Sequence, residues 1–99
     1  MKPKRIQRKR SKGWTMPENT VYVGKGSKWG NPFRIGKEAV DAQDACNNFR
    51  FMLTHPENKN LRAKAKFELK GKNLACWCAL DKPCHADVLL EIVNSEVKN

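Results

Sequence analysis

Apolar residues in this chain are scarce before residue 40 and strictly spaced after it. Ala42, Ala45, Cys46, Phe49, Met52 and Leu53 recur at three- and four-residue intervals. That spacing predicts one face of a helix of about four turns starting near Glu38. Thr54-His55-Pro56 closes it, because a residue before proline avoids the α region. Leu61, Ala65 and Leu69 predict a second, shorter helix with its lysines outward, ended by Gly71. Val88, Leu89, Ile92 and Val93 form the stripe of a last helix that starts at Pro83-Cys84-His85. Between these segments the period changes. Val21-Tyr22-Val23 is a β-branched and aromatic run ending at Gly24, and Asn73 to Cys78 reads as a second central strand. Arg5-Ile6-Gln7-Arg8 alternates in the same way more weakly.

The order is thus weak strand, strand, helix, helix, strand, helix. Strands separated by helices pair in parallel with right-handed crossovers, so the expected class is α/β: a small three-layer Rossmann-like sandwich with a short, mainly parallel sheet. In such sheets ligands bind beyond the carboxyl ends of the strands. The loops 24–33 and 79–84 leave from such ends, and they are expected to face each other.

A length of 99 residues is read as a single domain, 1–99. No apolar run approaches the ~20 residues of a membrane span, and no secretory h-region is present. A cytoplasmic protein without a membrane partner is therefore expected. The net charge of +10 is unevenly distributed, since residues 1–12 carry seven basic groups and no acid. The remainder holds thirteen basic and ten acidic groups. One basic segment on a nearly balanced body suits an anion-binding surface, and nucleic acid is one candidate partner.

Four cysteines in a chain with no export signal point to metal or thiol chemistry ahead of disulfides. Cys76 and Cys78 fall on one face of their strand, and Cys84 and His85 return at the start of the last helix. Three thiols and an imidazole within ten residues can supply a tetrahedral zinc site, although adjacent ligands such as Cys84 and His85 are an unusual spacing. In a second reading Cys84 is a catalytic thiol, its pKa lowered by the helix N-terminus, with His85 beside it and Asp87 in the first turn. In the third, the cysteines are small core hydrophobes.

The loop Gly24 to Phe33 has three glycines in ten residues. Glycines let backbone amides approach a ligand, Ser27 and Asn31 offer hydrogen bonds, and Lys25 and Lys28 favour phosphate. Trp29 either stacks on a base or plugs the core together with Phe33. No standard phosphate-binding spacing is present.

Taken together, Arg5-x-Gln7-Arg8-x-Arg10, Gly13-Trp14, Val21-Tyr22-Val23-Gly24, Ser27-x-Trp29-Gly30-Asn31-Pro32-Phe33, Leu74-x-Cys76-x-Cys78 and Cys84-His85-x-Asp87-Val88-Leu89 resemble a family of small phage and bacterial proteins. That family is catalogued as a domain of unknown function (four-three-two-six). The resemblance runs from about Arg5 to Val93 and implies that the basic segment 1–12 belongs to the domain. It carries no established reaction. Family members often have glycine after the Cys-His pair, where this chain has Ala86. The expected function is therefore binding of an anionic, nucleotide-like small molecule between loop 24–33 and the Cys84-His85 helix start. Arg5, Arg8 and Arg10 supply charge in this reading. Gly24, Ser27, Trp29, Asn31 and Asp87 contact the ligand, and Cys78, Cys84 and His85 form the floor. Turnover and simple binding are both open. The alternatives are a nucleic-acid-binding module without chemistry, and a zinc-stapled interaction domain built on Cys76, Cys78, Cys84 and His85.

Overall fold

A computed structural model describes residues 3–95. Lys2 and the two extremities of the expected 1–99 domain lie outside the described residues. Three short strands, β1 (Arg5–Gln7), β2 (Thr20–Tyr22) and β3 (Asn73–Cys76), form one sheet in the order β1-β3-β2, with both pairings parallel. The register sets Ile6 opposite Ala75 on one side and Tyr22 opposite Ala75 on the other. The helices are α1 (Ala42–Thr54), α2 (Lys59–Leu69) and α3 (His85–Val93), with a 3-10 turn at Pro56–Asn58 between the first two. The α/β class and the parallel sheet read from the sequence are both present.

Helix α1 starts later than Glu38. Asp41 caps it by accepting the Asp44 amide at 2.8 Å, and Asp44 in turn accepts the Val40 amide at 3.0 Å. This reciprocal pair satisfies two backbone donors that helical geometry leaves unbonded. Helix α2 stops where Gly71 turns the chain at φ +80. The Gly71 amide then donates to Asn94 Oδ1, just beyond α3, at 3.1 Å.

The core lies between the sheet and the helices. Leu74 and Cys76 of β3 point into it and meet Phe49 and Leu53 of α1, Ala65 and Leu69 of α2, and Val88, Leu89 and Val93 of α3. All three helices touch one another, and α3 packs on β1 and β3. The other face carries the row Ile6, Ala75, Tyr22. Because residues 8–19 between β1 and β2 contain no helix, the third layer of the expected sandwich is not helical. No helix among the described residues is long and apolar enough to cross a membrane.

Candidate functional site

The central strand β3 delivers Cys76 to its carboxyl end, where the chain bends at Trp77 and Cys78. Cys78 is thus past the strand, yet its sulfur remains with the others: the Sγ atoms of Cys76, Cys78 and Cys84 all lie within 4.8 Å of one another. Cys76 and Cys84 are closest, at 3.1 Å. Arg5 explains why the return loop is held. Its Nη2 donates to the carbonyls of Ala79 (3.2 Å), Leu80 (2.7 Å) and Lys82 (2.9 Å). Its Nη1 stands 3.5 Å from Asp87 Oδ2, and the side chain is only 7% exposed. One planar guanidinium therefore joins β1, the loop and the first turn of α3, which a lysine cannot do.

Cys84 is the N-terminal cap residue of α3. His85 follows and is buried; its Nε2 lies 2.6 Å from the Val23 carbonyl oxygen, and its ring edge meets Phe49 with centroids 5.3 Å apart. A carbonyl only accepts, so Nε2 carries the proton and Nδ1 is left to face Cys84 Sγ at 3.7 Å. The sulfurs are electrostatically unequal. The hydrogen bond from Cys76, helped by the Ala86 amide, holds the Cys84 thiol well below the usual range despite its burial. Cys76, as donor to Cys84 and itself buried, is pushed up. Burial raises Cys78 and takes Cys46, apart on α1, to about 11. Burial works to lower the Arg5 pKa, but its hydrogen bond to the Cys84 sulfur and the charge of Asp87 outweigh that and raise it. The corner can thus stabilise one ionised thiol, or present several sulfurs to a soft cation.

The glycine loop approaches this corner from β2. Gly24 must be glycine, because a Cβ there would lie 2.7 Å from the Tyr22 ring, whose hydroxyl donates to the Lys25 carbonyl at 2.8 Å. Ser27 uses its hydroxyl within the loop, donating to the Gly24 carbonyl at 2.7 Å. Trp29 is 5% exposed and belongs to the core cluster, with Phe33 packed against it. Of the two readings of Trp29, the core plug is the one its position matches, and its indole is not placed to stack on a ligand. Asn31 turns the chain, accepting the Phe33 amide at 2.9 Å and donating to the Ala45 carbonyl at 3.1 Å.

Loop and corner border a common cleft of about 370 Å³, lined by Gly24, Lys25, Asn31, Pro32, Arg34, Cys76, Trp77, Cys78 and His85. A second cleft of about 290 Å³ shares Asn31, Arg34, Cys78 and His85 with it and reaches Cys46 and Cys84. Gly24, Asn31, Cys78 and His85 are therefore brought together at the first cleft and Cys84 joins at the second, whereas Arg5, Ser27, Trp29 and Asp87 line neither. Arg8 lies between two rings, 4.8 Å from the centroids of both Tyr22 and Trp77, and Arg10 stands 4.9 Å from Trp77. The sequence reading missed Arg34 and Trp77 as lining residues, whereas Lys25, read there as favouring phosphate, does line the cleft. The available signal was the exposed tryptophan between two cysteines at a strand end.

The family described as Domain of unknown function (DUF4326) matches residues 6–95. A protein of Enterobacteria phage T4, described as an uncharacterized 12.4 kDa protein in the nrdA-td intergenic region, is 34% identical over 80 residues, which cover 80% of this chain and 71% of that protein. No solved structure matches the chain.

Proposed function

The chain belongs to the DUF4326 family of phage-type domains, whose description names no activity, and we propose that its cleft binds an anionic, nucleotide-like small molecule. One observation carries the reading: the lining includes Lys25 and Arg34 but no carboxylate. Arg8 and Arg10 stand over Trp77, another lining residue, and add to the positive field there. Such a field, beside a low-dielectric wall, concentrates anions. The position fits as well, because the cleft opens past the carboxyl ends of parallel strands β2 and β3, where α/β sheets usually take ligands. Its volume suits a molecule of mononucleotide size. In this reading the phosphate meets Lys25, Arg34 and the backbone at Gly24, while the heterocycle lies along Pro32 and Trp77.

The test is a thermal-shift and calorimetric screen of nucleoside mono- and diphosphates, with free phosphate and a single-stranded oligonucleotide alongside. A ligand at 100 times its Kd adds about 2.7 kcal/mol, and each kcal/mol moves the Tm of so small a domain by roughly 4–8 °C. The reading expects such a shift, and a Kd weakened about tenfold or more in K25A/R34A, as for loss of charged hydrogen bonds of ~1.5–3 kcal/mol each. No shift with any nucleotide, or unchanged affinity in the double variant, overturns it. Binding of the oligonucleotide alone, falling steeply with salt, replaces it with a nucleic-acid module.

A further inference from the structure

We propose that Cys76, Cys78 and Cys84 form a binding centre for a divalent cation of the zinc class; His85, whose Nδ1 is 3.7 Å from the Cys84 sulfur but lies outside the three-sulfur cluster, turns in as the fourth donor. The inference does not rest on the anionic ligand: it concerns the floor of the cleft, not its rim.

The first support is geometric. A tetrahedral ion with metal–sulfur bonds of about 2.3 Å spaces its sulfurs about 3.8 Å apart. The three sulfurs here lie between 3.1 Å, for Cys76 and Cys84, and an outer bound of 4.8 Å. That range brackets the required spacing. The separation is far from the roughly 2.05 Å of a disulfide.

The second support is the orientation of the donors. His85 gives its Nε2 proton to the Val23 carbonyl and turns its Nδ1 lone pair towards Cys84. A ring nitrogen freed for a metal by a backbone carbonyl on the other nitrogen is the usual outer-shell arrangement of ligating histidines.

The third is charge. Three thiolates and a neutral imidazole around a dication leave one net negative charge, and a buried charge needs a partner. Arg5 is in place for it: its side chain is 7% exposed, its buried Nη1 has no hydrogen-bond partner among the described residues, and Asp87 stands 3.5 Å away. Plain core thiols need neither such convergence nor a buried guanidinium. Cys46, equally buried on α1, stands outside the group. Thiolate-rich sets of this kind select zinc over magnesium or calcium. On binding, four metal–donor bonds form, and each thiol proton still present passes to the buffer.

The experiment uses the full chain, kept reduced. Elemental analysis of protein produced with added zinc is expected to give one zinc per chain. Cobalt(II) titrated into metal-free protein should give thiolate-to-cobalt charge-transfer bands and the visible bands of a tetrahedral site, saturating at one equivalent. Added zinc should protect three thiols from alkylation, with Cys46 reacting equally in both states. C78S, the half-buried ligand, should lose stoichiometric binding, and C46A should keep it. Substoichiometric zinc together with no charge-transfer band from cobalt overturns the proposal even if the serine variants do not fold. So does a Cys76–Cys84 disulfide in the isolated protein. A nucleotide that binds metal-free protein leaves this result unaffected, so failure here is distinguishable from failure of the ligand reading.

Discussion

Arg5 shows how much can depend on one side chain. Its Nη2 bonds three loop carbonyls, while its Nη1 faces Asp87. Replacing it with alanine removes the Arg5 donor from all three carbonyls, leaving Ala79 only its bond from the Lys82 amide, and frees the 79–83 loop. R5A is expected to lose roughly 2–4 kcal/mol, given that hydrogen bonds to charged groups contribute about 1.5–3 kcal/mol each and do not add fully. R5K should recover little, since an ammonium cannot fork to three acceptors. Chemical denaturation of the three proteins checks this, and an R5K as stable as the parent would remove the argument. In the sequence Arg5 was legible only as one charge in a basic run, because nothing local shows that its partners are more than seventy residues away. Trp29 was undecided for a similar reason. Whether a loop tryptophan faces inward depends on the distant elements that pack against it, and here it joins the core cluster formed by the helices and β3.

At the level of elements, the helices were the easiest part to read, since each carries its apolar stripe on one face and a local stop signal. The error at the start of α1 came from reading periodicity without the cap. Asp41 and Asp44 bond each other's neighbouring amides, so the helix begins after Asp41, not at Glu38. D41A is expected to cost about 1 kcal/mol, measured as a lower urea midpoint with an unchanged m-value. D41N should be nearly neutral, because the amide oxygen accepts the same bond. A neutral D41A would show that the cap contributes little. The strands are only three or four residues long, too short for alternation to mark their ends. Cys78 illustrates the consequence: a two-residue period assigned it to a strand that ends at Cys76, yet the bend at Trp77 still turns its sulfur to its neighbours.

For the molecule as a whole, residues 5–8 of the basic opening segment belong to the sheet. Strand β1 pairs along β3 from Arg5↔Leu74 to Gln7↔Cys76, and the Arg8 amide extends the ladder by donating to the Cys76 carbonyl at 2.7 Å. Deleting residues 1–8 removes an edge strand and Arg5 together, and uncovers Leu74 and Cys76. That loss is expected to approach the full 5–15 kcal/mol stability of a small domain, so the truncated chain should show no cooperative thermal transition. A chain with Lys9, Arg10 and Lys12 changed to glutamine should melt within a few degrees of the parent, as surface substitutions shift stability by about ±0.5 kcal/mol. A truncated protein that still unfolds cooperatively would mean that the segment is an appendage.

The sequence by itself determined the α/β class, the order of the elements and the family, because these rest on local periodicity and on motifs readable in one dimension. It also indicated that the glycine loop and the cysteine-histidine turn meet, since parallel strands send their carboxyl ends the same way. Only the tertiary structure decided which side chains face that meeting place. Trp29 went to the core and Ser27 to its own loop, while Trp77, Lys25 and Arg34 came to the cleft. Side-chain direction in loops is set by packing against distant elements, and that information is absent from any short stretch of chain.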